Sequence, residues 1–172
     1  ARAGNGNRKA LFEALEKAPG VPAEFKDEAA AALIDVAFQS DNLKLGKERV
    51  ERVMADPKAS AALKERAAMY QLGLAAAEPG ADLTAAVKKI EDAIAKTTDP
   101  SLKALGYNVL GDVYTAKGKT RDAMWSYLWV DVVYNQDRGE HLKAMTRLIK
   151  IFTEENDGEK VQLYKEKLAR SR

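Results

Sequence analysis

The chain has 172 residues, 46% hydrophobic and 31% charged, proportions that belong to one soluble domain with a core and exclude a disordered chain. Its 28 basic and 26 acidic residues intermix to a formal charge of +2, which excludes the concentrated basic field that nucleic acid or an anionic membrane draws. Cysteine is absent, excluding disulfides, thiolate metal sites and cysteine nucleophiles, and no apolar run approaches the roughly 20 residues that span a bilayer.

Gly and Pro fall in punctuating positions, and the stretches between them are rich in Ala, Leu, Lys and Glu, so the chain reads as all-helical, with about nine helices. The first residues, Ala1 to Asn7, carry no visible signal peptide. The missing initiator Met points to trimming and, with the lack of cysteine, leans towards an exported, periplasmic bacterial protein; compartment is otherwise open. A helix over 8–18, around Leu11, Phe12 and Leu15, caps the stack of helices beyond it or is the surviving half of a truncated unit. After Ala18-Pro19-Gly20-Val21-Pro22 comes a degenerate helical pair over 24–58, broken at Ser40-Asp41-Asn42 and ended at Asp56-Pro57.

A second pair spans 61–98, with its turn at Glu78-Pro79-Gly80-Ala81-Asp82 and its end at Thr97 to Pro100. A third spans 101–135, turning at Ala116-Lys117-Gly118-Lys119 and ending at Asn135 to Gly139. A fourth spans 140–170 and turns at Glu154 to Gly158, where Asp157 is placed to cap the last helix. The best β-branched run, Val130 to Tyr134, lacks sustained alternation and continues a helical stripe, so no sheet is expected.

Self-similarity supports this division. Leu72, Leu110 and Leu148 recur at a 38-residue interval. The same register aligns Met69, Tyr107 and Met145; Gly73, Gly111 and Ile149; Ala76, Tyr114 and Phe152; and Ala85, Ala123 and Val161. The second helix of the earliest of these copies reads better one residue later, at Ala86, Ile90 and Ala93. A fainter copy holds Ile34, Phe38, Gly46, Val50 and Val53 once one turn residue is deleted.

Tyr107-x2-Leu110-Gly111-x2-Tyr114, followed by Ala123-x3-Tyr127, resembles the tetratricopeptide repeat, whose pattern is W-x2-L-G-x2-Y and then A-x3-F. Gly111 and Ala123 are small enough for two antiparallel helices to approach closely, and Leu110, Tyr114 and Tyr127 fill the space around the contact. Gly inside a helix costs about 1 kcal/mol against Ala, and close packing is the compensation. Gly118 supplies the turn. Tyr107 stands for the usual Trp, Val130 for a small residue and Asn135 for a closing Pro. The resemblance covers residues 24 to 170 and implies a right-handed solenoid of antiparallel helix hairpins, about three to four repeats plus an N-terminal helix.

The family binds extended peptides or protein segments in a concave groove lined by the first helix of each hairpin. Carried over, the groove positions are Tyr70 and Leu74, then Asn108, Asp112 and Thr115, then Thr146 and Lys150. The paired-Asn, multi-Lys clamp with which some members grip a C-terminal carboxylate is not reproduced, and a solvated helix face is the competing reading of these positions.

The stretch Ala123 to Tyr134, AMWSYLWVDVVY, is apolar or aromatic on nearly every helical face. Ala123, Tyr127 and Val130 face the hairpin partner, and Met124 and Leu128 the following repeat. Trp125 and Trp129 project elsewhere as an i,i+4 pair. Either a neighbouring helix over 141–153 buries them, or they anchor an oligomer or partner contact.

Chemistry is sparse. His141, the single histidine, has no second imidazole for a metal pair and sits in a helix's first turn. In Glu154-Glu155-Asn156-Asp157-Gly158-Glu159 the calcium-loop spacing requires Glu where Tyr164 stands. Gly4-x-Gly6 precedes no strand-to-helix phosphate loop. The last helix carries Lys160, Lys165, Lys167, Arg170 and Arg172, interrupted by Glu159 and Glu166 with Tyr164 alone for stacking; it reads as an amphipathic cap with Val161, Leu163 and Leu168 turned inward, and as a nucleic-acid surface only in second place. The sequence therefore predicts a non-catalytic interaction scaffold that binds an unidentified protein or peptide, itself capable of forming a homo-oligomer. It needs no cofactor or metal, and a helical enzyme is the remote alternative.

Overall fold

A computed structural model describes residues 5–39 and 42–171. Expectations that fall on Ala1 to Gly4, on Ser40 and Asp41, and on Arg172 lie outside the described residues. Among those described there are nine α-helices and no strand: α1 Asn5–Lys17, α2 Ala23–Gln39, α3 Leu43–Ala55, α4 Ala61–Ala77, α5 Leu83–Lys96, α6 Pro100–Ala116, α7 Thr120–Val132, α8 Arg138–Glu154 and α9 Gly158–Arg170. The all-helical reading holds, and Val130 to Val132 are helical as the absence of alternation requires.

The helices begin where a short polar side chain satisfies the first free amides. Asn42 accepts from Leu45 N, Asp82 from Thr84 N and Ala85 N, Asp99 from Ser101 N, Asp137 from Glu140 N and Asp157 from Lys160 N. Pro100 follows its cap in the first turn of α6, where a missing N–H costs nothing. Gly118, with φ of +69°, makes the left-handed turn that sends the chain from α6 into α7.

Contacts gather into two compact units, divided between Leu74 and Ala75, inside the span that composition reads as one domain. In the first unit α2 packs on α1 and α3. Ala29, Leu33 and Ile34, and Ala37 recur at helical spacing on the buried face of α2. Arg49 of α3 reaches α1, placing Nη1 3.0 Å from Glu16 Oε2 and Nη2 3.1 Å from Glu13 Oε1. Phe38 stacks on Tyr70 with ring centroids 4.5 Å apart.

In the second unit α6 and α7 form an antiparallel hairpin, α8 packs on both, α9 packs on α8, and α5 packs on α6. The core gathers Ala104 from α6, Ala123, Tyr127 and Val130 from α7, Ala144, Met145, Leu148, Ile151 and Phe152 from α8, and Tyr164 from α9. Ala123 is fully buried, and Gly111 lies in a close contact. A Cβ on Gly111 would lie 2.7 Å from Cζ and 2.8 Å from Cδ1 of Tyr127, so only glycine lets that ring lie against the α6 backbone. The Tyr127 hydroxyl then donates to Asp112 Oδ1 at 2.8 Å.

Two sequence details resolve in three dimensions. Ala85 is exposed while Ile90 is fully buried and Ala86 and Ala93 partly so, which puts the inward face of α5 on 86, 90 and 93. Leu163, expected to turn inward, is instead 50% exposed. The inward stripe of α9 runs through Val161, Tyr164 and Leu168, and position 163 lies off that stripe at about 100° per residue.

Candidate functional site

In the second unit α5, α6 and α7 border an aromatic-lined cleft of about 400 Å³, within the range of ligand sites. Tyr107 and Tyr114 stand two turns apart on α6, so they share one face. Trp125 and Trp129 stand one turn apart on α7 and flank them. α5 supplies Ile94 and α6 supplies Leu110, both buried, as an apolar floor.

The fifth aromatic comes from the end of α7. Val133 caps the helix, and the Tyr134 amide folds back to donate to Trp129 O at 3.1 Å, a tight closing turn. This brings Tyr134 to a centroid distance of 5.4 Å from Tyr107, and Trp129 completes a triangle of rings, 5.7 Å from Tyr107 and 6.5 Å from Tyr134. The two near-parallel pairs, Tyr107 with Trp129 and Tyr107 with Tyr134, contribute about 0.5–1.5 kcal/mol each beyond burial, so the wall is preformed. Lys103 Nζ lies 5.8 Å from the Tyr134 ring centroid.

The rim is acidic. Glu91 of α5 and Asp122 of α7 line the cleft, and among the described residues Lys103 is the single basic side chain that does so. Burial pushes the Tyr107 phenol above its ordinary value, helped by Tyr134 and Glu91. Burial does the same at Tyr114, helped by Glu91 and Asp122. Both phenols therefore stay neutral at physiological pH in a field of negative sign.

Trp125 and Trp129 remain 54% and 47% exposed. Burial by the helix over 141–153 is thus not what α8 provides; Trp129 rests on Tyr107 of α6 instead.

The groove positions carried over from the repeat resemblance are spread over different environments. Tyr70 is buried, and its hydroxyl donates to Asp35, beside which Arg66 lies at 3.7 Å. Asn108 is buried; its Nδ2 donates to Glu140 O at 3.0 Å and to Glu140 Oε2 at 2.9 Å, and Lys143 Nζ is 2.9 Å from the other carboxylate oxygen. Thr115 hydrogen-bonds Gly111 O and the Tyr127 hydroxyl. Asp112 accepts from Tyr127 and from Arg147 Nε at 2.9 Å, tying α6 to α8. Leu74 is half-buried, whereas Thr146 and Lys150 are exposed. Of the seven, the structure therefore engages Tyr70, Asn108, Asp112 and Thr115 in side-chain bonds within the fold, and Thr146, whose hydroxyl donates to Leu142 O, and Lys150 are exposed.

Sequence reasoning missed two buried carboxylates. Glu140, 1% exposed, is the one that holds Asn108, and Asp131, 4% exposed, gathers partners from two other helices. His141 Nε2 lies 2.8 Å from Asp131 Oδ1, the Tyr164 hydroxyl donates to Oδ2 at 3.0 Å, and Lys167 Nζ donates to Oδ2 at 2.7 Å. Burial would raise the Asp131 carboxyl, but hydrogen bonds from Lys167 and His141, the Lys167 charge and the Tyr164 hydroxyl outweigh it and hold it below the usual aspartate value. An acid inside the apolar run VDVV is the one signal that pointed here.

Three of the C-terminal cations pair with carboxylates. Lys167 is bound to Asp131, Lys160 to Asp157, and Arg170 lies 4.0 Å from Glu166, while Tyr164 is buried and presents no face for stacking. Among the described residues no group of three or more His, Asp or Glu side chains is arranged to hold a metal ion, and no helix is long and apolar enough to cross a membrane. Comparison of the chain with protein-family models, with curated proteins and with solved structures gives no match.

Proposed function

We propose that the chain is a non-catalytic interaction module built from tetratricopeptide-like helical hairpins, and that it binds a segment of a partner protein in the aromatic cleft. The repeat reading is supported by the 38-residue recurrence of Leu72, Leu110 and Leu148, by α8 packing on both helices of the preceding hairpin, and by the close approach at Gly111. The observation that carries the binding reading is the pair of half-exposed tryptophans beside three tyrosines. Aromatic side chains held rigid at a surface bind with little loss of conformational entropy, which makes them the usual anchors of protein contacts.

The cleft, bordered by the second helices α5 and α7 over α6, replaces the expected groove as the favoured surface because its aromatic side chains are not consumed by internal hydrogen bonds as Asn108 and Tyr70 are. The test is selection of peptides from a random displayed library against the whole chain. Selected peptides are expected to lose binding to the variant carrying Trp125→Ala and Trp129→Ala, while Thr146→Ala and Lys150→Ala leave it unchanged. Selection of no peptide, or binding indifferent to the two tryptophans, would sink the reading; light scattering on the same two proteins reads whether the tryptophans instead join copies of the chain.

A further inference from the structure

Resting on that reading, we infer that the cleft is selective for a cationic side chain, the lysine or arginine of a docking peptide seated between the aromatic wall and the acids Glu91 and Asp122. Aromatic faces carry negative quadrupoles, and an ammonium or guanidinium within about 6 Å of a ring centroid gains most where water is partly excluded. Here Tyr107, stacked with both Trp129 and Tyr134, forms with them one side of the cleft, and Trp125 and Tyr114 line it beside them. The wall already accepts a cation of the chain's own, since Lys103 Nζ sits 5.8 Å from the Tyr134 centroid.

The carboxylates supply the second half. Glu91 and Asp122 lie at the rim, exposed, and among the described residues neither carboxylate takes a hydrogen bond or ion pair from another part of the second unit. Their field reaches inward, because both raise the Tyr114 phenol after burial has done so. The chain as a whole is weakly positive at +2, so long-range attraction does not favour basic peptides, and any preference for them has to arise locally. An anionic or purely apolar segment would gain the ring contacts but leave two carboxylates facing it unpaired.

The experiment uses the tryptophans as its readout, since both of the chain's tryptophans line the cleft. Mixtures of acetylated, amidated nonapeptides are titrated in, with the central residue fixed as Lys, Arg, norleucine, citrulline or Glu and the rest randomised. The Lys and Arg mixtures are expected to change tryptophan emission at roughly tenfold lower concentration than their neutral counterparts, a ratio in keeping with one cation over aromatic faces. The preference is expected to collapse in the variant carrying Glu91→Gln and Asp122→Asn, whose exposed positions leave folding intact by circular dichroism. Equal response to Lys and norleucine overturns the cation inference while leaving peptide binding standing. Response to none of the mixtures overturns both, and emission that changes with protein concentration alone assigns the cleft to a second copy and overturns the cation inference.

Discussion

The ring of Tyr127 lies against the backbone of Gly111, at a distance no other residue at 111 would allow. Gly111→Ala adds a methyl group to a filled contact, and overpacking of this kind costs about 1–3 kcal/mol against a gain of about 1 kcal/mol in helix propensity. A net loss of stability is expected by urea denaturation, together with a weakened Tyr127 to Asp112 hydrogen bond. An alanine variant as stable as the parent would show that the hairpin can open there without strain.

Asp131→Asn removes a charge that is itself buried. The loss is expected to be about 2–3 kcal/mol at neutral pH, below the roughly 3–5 kcal/mol of fully enclosed pairs because Lys167 keeps contact with water. The native carboxyl titrates below its ordinary value of 3.8, so its contribution is complete above that pH and fades as pH falls through the lower native value. Parent and variant should therefore converge in stability under acid. A gap that persists unchanged at about pH 2, near the foot of the carboxylate range, would assign the effect to packing.

Tyr127 and Tyr164 are both pushed far above the ordinary phenol value of 10.0, first by burial and then by Asp112 and Asp131 respectively. The native chain holds these protons more tightly than the unfolded one, so this stability is present below about pH 10 and is lost as pH rises beyond it. Absorbance at the phenolate band is expected to show a late, cooperative step coincident with unfolding, reduced in size by Tyr127→Phe or Tyr164→Phe. Smooth ionisation of all six tyrosines before unfolding would contradict the placement of these two.

Asp99→Ala removes the side chain that receives Ser101 N at the start of α6. A loss of about 1 kcal/mol is expected from thermal melting. Asp157→Ala should cost a similar amount at α9, and no loss at either site would mean that water caps these helices equally well.

The helices and their breaks were legible because they are local: Asp157 at the cap of α9, Gly118 in its turn and the Gly111 pattern are each decided by a few neighbouring residues. The repeat register also found the tyrosine that packs on Gly111. It could not show that Asn108 faces Glu140, because a register gives the face of a helix and not the length of reach of the side chain arriving from the next one. Asp131 was hidden for the same reason. Its partners Tyr164 and Lys167 come 33 and 36 residues later, with nothing in the intervening sequence to connect them. The cleft fell between these cases: Trp125 and Trp129 were singled out by spacing, but Tyr134 joins them through a backbone turn that no periodicity announces.

The hub at Asp131 also decides how the second unit comes apart. A helix that rests on a single neighbour ordinarily frays, exchanging its amide hydrogens with solvent long before the rest of a protein opens. α9 rests on α8, yet through Tyr164 and Lys167 it is fastened to a carboxylate of α7 that His141 of α8 also engages. Three helices thus share one buried knot, and the amides in the middle of α9 should exchange together with those of α7 and α8, as a single cooperative piece.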